Sequence, residues 1–442
     1  MTLNFKQTNF KPNYFCMKLR FSAFLCGTMI VLSVFQAQAQ DQKKFTYNFY
    51  GFVRNEFFVD TYKGLDAAYE LFYVAPLYTG KDANGKDLNK QTSSNLSAIA
   101  SRLGVNVSGP EVFNAKTNAT IEVDFGGIVK TEPTLLRIRQ AFVSLNWQKS
   151  SLLVGQTWHP FWGAGTAQVS GLNTGAPFQA FNRSPQVRYT QNAGDFRFGL
   201  SAVYESQYAS KTFESSVYTS ANQAQRNGAL PEFALTVAFV KGNFQAGIGG
   251  QMKRLKPYMI TTGTDGKFVS DEYLTTYGAM AYIYYQDPKL AIVAKNYYGQ
   301  NLSHLTILGG YGVKTFDENT GARTFTPFTT NSSLLNVVYG TKWQVGMTLG
   351  LTKNLGTKDA LYSTNSPAFN TITGGLLPEI KDLYRVAPHL SLNVSAFKFI
   401  LEYELTSAKY GEGELDYSDG IFKGSHTATN NRFALTMMYI FK

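Results

Sequence analysis

About sixteen segments of roughly ten residues alternate apolar and polar side chains with a period of two, and no run is long enough to cross a membrane as a helix. The first segment shows the pattern most plainly. Phe45, Tyr47, Phe49, Val53, Phe57 and Val59 fall on one face, and Thr46, Asn48, Arg54, Glu56 and Asp60 on the other. The last repeats it, with Phe433, Leu435, Met437, Tyr439 and Phe441 against Arg432, Ala434 and Thr436. Alternation of this kind specifies strands with two unlike faces.

The spacing predicts strands over 45–59, 98–108, 116–126, 134–147, 151–158, 185–191, 195–204, 232–241, 243–253, 272–286, 289–299, 332–340, 342–353, 382–395, 398–408 and 431–442. Short turns built from Gly, Asn, Asp and Pro, such as Asn192-Ala193-Gly194-Asp195 and Gln286-Asp287-Pro288-Lys289, alternate with long polar connections. The long ones include 60–97, 159–184, 205–231, 254–271, 300–331, 354–381 and 410–430. Short turns at one rim and long loops at the other predict an all-β, antiparallel transmembrane barrel. A secreted sandwich would need one polar face per sheet. Here Phe233-Leu235-Val237-Phe239 and Trp343-Val345-Met347-Leu349-Leu351 are purely apolar faces.

Residues 1–39 read as a cleaved signal peptide. Lys6, Lys11, Lys18 and Arg20 precede the apolar stretch Phe21 to Phe35, and Ala37-Gln38-Ala39 offers small residues for cleavage; Met17, opening Met17-Lys18-Leu19-Arg20 directly before the apolar run, is the better start. Both cysteines, Cys16 and Cys26, fall in this segment, so disulfides and thiolate metal sites are excluded beyond it. Residues 40–442 are then expected to form the barrel. Only 16% of the residues are charged, against about 25% in an average soluble protein, and 15% are aromatic. The basic excess contains no run like a nucleic-acid-binding arm, and export makes that partner implausible.

If the apolar faces meet lipid, the polar faces line the interior, and sixteen strands leave an aqueous channel. Alternation then places Arg54, Arg102, Arg137, Arg139, Arg188 and Arg197 inward in the first seven strands, with Glu56, Glu122 and Asp124 as the acids of that half. Lys253, Lys295, Arg385 and Arg432 follow, with Glu232, Glu402 and Glu404. An Arg or Lys facing lipid at the midplane costs roughly 2–4 kcal/mol, so the inward assignment has a physical basis. The arginines either pair with acids across the wall or leave a positive arc. The connection 159–184 contains His159-Pro160-Phe161-Trp162-Gly163-Ala164-Gly165, ends in Asn182-Arg183-Ser184-Pro185 and has no Asp or Glu. It is a candidate loop for folding inward and narrowing the channel. A constriction of arginines and a non-acidic loop favours anions.

Three stretches carry a resemblance. Arg137-Ile138-Arg139-Gln140-Ala141-Phe142, Leu153-Val154-Gly155-Gln156-Thr157-Trp158 and Arg183-Ser184-Pro185-Gln186-Val187-Arg188-Tyr189-Thr190 resemble the DcaP-like porins of Gram-negative outer membranes, as does Phe49-Tyr50-Gly51-Phe52-Val53-Arg54 in the first strand. The resemblance implies a trimeric, sixteen-stranded outer-membrane porin passing small anionic solutes such as dicarboxylates, in contact with outer-membrane lipids and lipopolysaccharide. By matching position it makes Arg137, Arg139 and Arg188 pore arginines. His159-Pro160 after Trp158 departs from the family, which tends to have a small polar residue there.

Pore-lining candidates are therefore Arg54, Arg102, Arg137, Arg139, Arg183, Arg188, Arg197, Trp158, Phe161 and Trp162. The four histidines, His159, His304, His389 and His426, are scattered without metal-ligand spacing, and no pattern supports an enzyme or a cofactor. Two readings compete with an anion porin. One is a neutral-sugar porin with Phe161 and Trp162 as a greasy slide. The other is a non-conducting surface receptor or adhesion barrel that works through its loops.

Overall fold

The computed structural model describes residues 45–67, 70–127, 134–210 and 222–442. The proposed signal peptide lies outside them. Tyr47–Lys442 form one compact unit.

Sixteen antiparallel strands make its wall. They are β1 (Thr46–Asp60), β2 (Arg102–Val112), β3 (Ala115–Asp124), β4 (Arg137–Asn146), β5 (Ser150–Trp158), β6 (Arg183–Ala193), β7 (Phe196–Val203) and β8 (Glu232–Lys241), followed by β9 (Phe244–Leu255), β10 (Leu274–Gln286), β11 (Leu290–Gln300), β12 (Arg323–Gly340), β13 (Trp343–Thr357), β14 (Ile380–Val394), β15 (Phe397–Asp416) and β16 (Ile421–Phe441). Each pairs with its neighbours in sequence, and β1 closes the sheet on β16 in the register Gly51↔Phe441 to Asp60↔Arg432. Three short strands, Ser93–Ser97, Gly309–Phe316 and Thr373–Leu376, extend the sheet at its long-loop rim.

Burial follows the period of two. On β1 Arg54, Glu56, Phe58 and Asp60 are buried, whereas Val53 and Phe57 are exposed. Trp343, Val345, Met347, Leu349 and Leu351 of β13 are all exposed on the outer wall. Such an apolar exterior around a closed sheet is the surface that lipid requires, and closure leaves no unpaired edge. The seam is bolted on the inside by Arg432, which donates to both oxygens of Asp60 at 2.8 and 2.7 Å.

The short turns satisfy their own backbone. Asp287, between β10 and β11, accepts the N–H groups of Lys289 and Leu290, both at 2.7 Å. The long connections are more ordered than the sequence suggests. Much of the expected loop 410–430 is strand, with β15 and β16 paired as far as Asp416↔Ile421. Part of 300–331 belongs to β12, which starts at Arg323. Above the membrane both faces of a hairpin can be polar, so apolar alternation stops while backbone pairing continues.

Candidate functional site: the interior of the barrel

The connection from β5 to β6 runs through the interior. Its ends are tied together by the His159 N–H to the Asn182 carbonyl at 3.0 Å, and Phe161, Phe178 and Phe181 are fully buried. Along its length it bonds to inward-facing side chains of distant strands. Gln168 N–H donates to Asn336 of β12 at 3.0 Å, and Ser170 N–H donates to Glu402 of β15 at 2.9 Å. Arg385 of β14 reaches the Ala176 carbonyl at 3.0 Å. Gly163 and Gly165 have φ of 63° and 70°, in the left-handed region that favours glycine, and a Cβ on either would run into Tyr282 or Tyr284 of β10. The Gly163-Ala164-Gly165 sequence thus lets the connection press onto the inner wall.

Two tryptophans and two cations form one column across this region. The indoles of Trp158 and Trp162 stack with centroids 3.8 Å apart and planes within 20°. Arg183 covers the outer face of Trp158, its guanidinium carbon 3.8 Å from the ring centroid. Lys295 of β11 sits 4.3 Å over Trp162 and donates to the carbonyls of Trp162 and Gly165 at 2.7 and 3.0 Å. Cation–π contacts gain strength when desolvated, to about 2 kcal/mol or more, so the column braces β6 against β11.

Beside it lies a cluster rich in arginine. Asp124 receives Arg137 at 2.9 and 2.8 Å and also Arg139; Glu122 receives Arg139 at 2.9 Å and lies 3.5 Å from Arg102. Tyr50 donates to Glu122 at 3.1 Å. A bulge between β3 and β4, where Glu122 faces Gln140 but Val123 faces Ile138, turns both Arg139 and Gln140 toward the acids. Arg183 has no carboxylate partner among the described residues. Among the described residues its side chain has one hydrogen bond, to Gln207, long at 3.4 Å, and its Nε and Nη2 are buried without an acceptor.

The structure therefore divides the candidate arginines. Arg54, paired with Glu56 at 2.6 Å, and Arg102, Arg137 and Arg139 sit in ion pairs. Among the described residues Arg188 and Arg197 have no such partner; Arg188 bonds to the Trp158 carbonyl and Gln186, and Arg197 to Asn192. With Thr190, Thr236 and Gln245 they line an open polar recess roofed by Pro160, Gly163 and Ala164. The strands from β2 to β7 thus present six guanidiniums, Arg102, Arg137, Arg139, Arg183, Arg188 and Arg197, against the buried carboxylates Glu122 and Asp124. On the wall of β14, β15, β16 and β1, Arg54, Arg385, Lys398 and Arg432 are matched by Glu56, Asp60, Glu402 and Glu404.

A second network brings together residues far apart in sequence. His159 Nε2 lies 2.8 Å from Glu232 Oε1, and His304 Nε2 lies 3.0 Å from Glu232 Oε2. These three could surround a metal ion, but the far ring nitrogens argue otherwise. His159 Nδ1 accepts the Phe161 N–H at 3.1 Å, and His304 Nδ1 faces the Lys253 ammonium at 2.7 Å. Both Nδ1 atoms are acceptors, which leaves Nε2 of each ring to carry a proton; His159 Nε2 hydrogen-bonds to Glu232, and His304 Nε2 lies within ion-pair range of it without a hydrogen bond. A metal would need those Nε2 lone pairs. Lys253 also contacts Ser210, the Asn301 carbonyl and Glu205, so three long connections converge on this site. Alternation places Glu232 and Lys253 on the inner wall, but no sequence spacing links them to the histidines.

No family model matches the chain, and no curated protein matches its sequence. Solved structures do. The outer-membrane channel DcaP of Acinetobacter baumannii superposes with a TM-score of 0.63 at 18% identity, over 91% of this chain and 99% of that one. The fold is that of the DcaP channel. OmpT of Vibrio cholerae, an outer-membrane protein folded in vitro and seen in trimer form, aligns at 12% identity with a TM-score of 0.51, over 90% of this chain and 100% of that one. The closed sixteen-stranded antiparallel barrel is the fold this chain shares with these outer-membrane proteins.

Proposed function

We propose that this barrel is a diffusion porin for small anionic solutes, dicarboxylates among them. The supporting observation is the unequal inner wall, with six guanidiniums over two carboxylates on one side and balanced charge on the other. Within it Arg183 is buried with two donor nitrogens, Nε and Nη2, unused, next to an ion-paired cluster that already has more arginines than acids. Rings of fixed charge set the selectivity of pores, and low-dielectric walls focus the field on a passing ion. Arg197 and Arg188 continue the positive track toward the short-turn rim, and a solute with two carboxylates could engage two of these positions in succession. The column argues against a greasy slide. Each tryptophan has one face on the other and its second face under a cation, and Phe161 is fully buried, so no free aromatic platform is offered to a sugar. A homotrimer is the assembly we propose, as in the trimer form of OmpT. Single insertions in a planar bilayer under a salt gradient test the reading. An anion-selective reversal potential supports it, and a cation-selective one or a non-conducting barrel overturns it.

A further inference from the structure

We propose that the outer wall of β10 to β13 carries a binding site for one phosphorylated acyl lipid of the outer leaflet. The inference rests on the barrel lying in the outer membrane and is independent of what the pore selects.

Strand register arranges the outward side chains in level rows. Ile283, Ala294, Leu335 and Leu349 form one row, and Ala281, Asn296, Ser333 and Leu351 form the row above it. The small side chains Ala281, Ala294 and Ser333 leave a trough, and the exposed chains of Ile283, Leu335, Leu349 and Leu351 wall it. The next row toward the long loops is Ala279, Tyr298, Asn331 and Lys353. Toward the short turns the wall ends in the exposed rings of Tyr339 and Trp343. Trp343 and Lys353 are ten positions apart on one strand, about 25 Å of height at ordinary rise and tilt, which is the full apolar band. The trough therefore begins about 5 Å below the outer interface.

Two amides stand at that depth. Asn296 Nδ2 donates to Asn331 Oδ1 and to Ser333 Oγ, each at 2.8 Å. The Asn296 carbonyl and the Asn331 NH2 are left facing outward with no partner among the described residues. Unpaired amides toward hydrocarbon are costly, and a bilayer core supplies no water to them. A lipid supplies what is missing at the right heights. Its phosphate meets the exposed Lys353, its ester or amide linkage meets Asn331 and Asn296, and its chain lies over Ala294 between Ile283 and Leu349.

Native mass spectrometry of the full mature protein in detergent, titrated with lipid A or its dephosphorylated form, tests the proposal. Wild type is expected to retain one lipid A per protomer. Ala294→Phe fills the trough from outside and is expected to weaken retention about tenfold, the loss of a few methylene contacts. Asn296→Leu suits a lipid-facing wall and should still fold, yet it is expected to weaken retention of both lipids. Lys353→Gln is expected to weaken only the phosphorylated form. Unchanged retention in Ala294→Phe and Asn296→Leu overturns the proposal. So does dissociation of an oligomer by Ala294→Phe, which would assign this face to a second copy.

Discussion

Arg183 sits over the indole of Trp158, its guanidinium carbon 3.8 Å from the ring centroid, with no carboxylate to neutralise it among the described residues. The contact gives the cation a position without cancelling its charge. A guanidinium tolerates such a place better than an ammonium, because it is planar, weakly hydrated and always charged. Stacked on Trp158, itself stacked on Trp162, it is held at the inner wall beside Arg139 and Arg137.

Arg183→Gln is therefore expected to lower the anion-to-cation permeability ratio several-fold. Arg183→Lys should fall between, since it keeps charge but loses the planar stack. Reversal potentials across a salt gradient measure both. A ratio unchanged in Arg183→Gln would remove Arg183 from the selectivity machinery.

The other arginines separate by whether they hold an acid. Removing Arg139 leaves Asp124 and Glu122 buried with a partner short, and breaking a buried pair from one side costs about 3–5 kcal/mol. Arg139→Gln should thus lower barrel stability, read as an earlier loss of heat-resistant mobility on a gel. Arg188→Gln and Arg197→Gln break no ion pair among the described residues, so they should reduce anion preference at nearly wild-type stability. Equal stability in all three variants would refute this division.

Much of this was legible in the sequence, and the limits have physical causes. The period of two located all sixteen strands and the inward phase of Arg54, Arg137 and Arg188, because lipid and lumen impose opposite chemistry on neighbouring residues. Alternation says nothing where that contrast ends. It did not follow β15 and β16 past the membrane, nor mark the bulge that turns Arg139 and Gln140 to the same acids. Pairing inside the wall was open as well. That Arg102 shares Glu122 with Arg139 while Arg183 has no acid among the described residues depends on three-dimensional register, not on charge counts. The meeting of His159, Glu232 and His304 was invisible, since loop closure brings together residues that no local spacing relates.

Gly350 shows how the interior connection is seated. It faces inward on β13, and a Cβ there would run into the ring of Phe178. Gly350→Val should unseat Phe178 and loosen the connection without touching any charged group. The expected result is a larger or noisier single-channel conductance with the sign of the selectivity unchanged. Conductance and noise identical to wild type would mean that the connection is fixed elsewhere, for example by Ser170 on Glu402.

The Glu232 network should make the interior sensitive to acid. Burial, and then the neighbouring Lys253 ammonium, holds His304 below the ordinary imidazole value of about 6.5, against the opposing pull of Glu232 and Glu205. In the unfolded chain His304 takes up a proton near that value, whereas in the folded chain it resists until the pH is lower. The unfolded state binds more protons through this window, so this residue's contribution to stability falls as pH drops below about 6.5. Protonation of Nδ1 would also aim an N–H at Lys253, 2.7 Å away, and loosen the connection that carries Asn301 and His304. Wild type should therefore unfold at a lower temperature at pH 5 than at pH 7.5, with noisier open-channel current. His304→Gln keeps an uncharged donor toward Glu232 and should flatten part of that dependence. If the variant and wild type lose the same stability between the two pH values, His304 is not the acid-sensitive element.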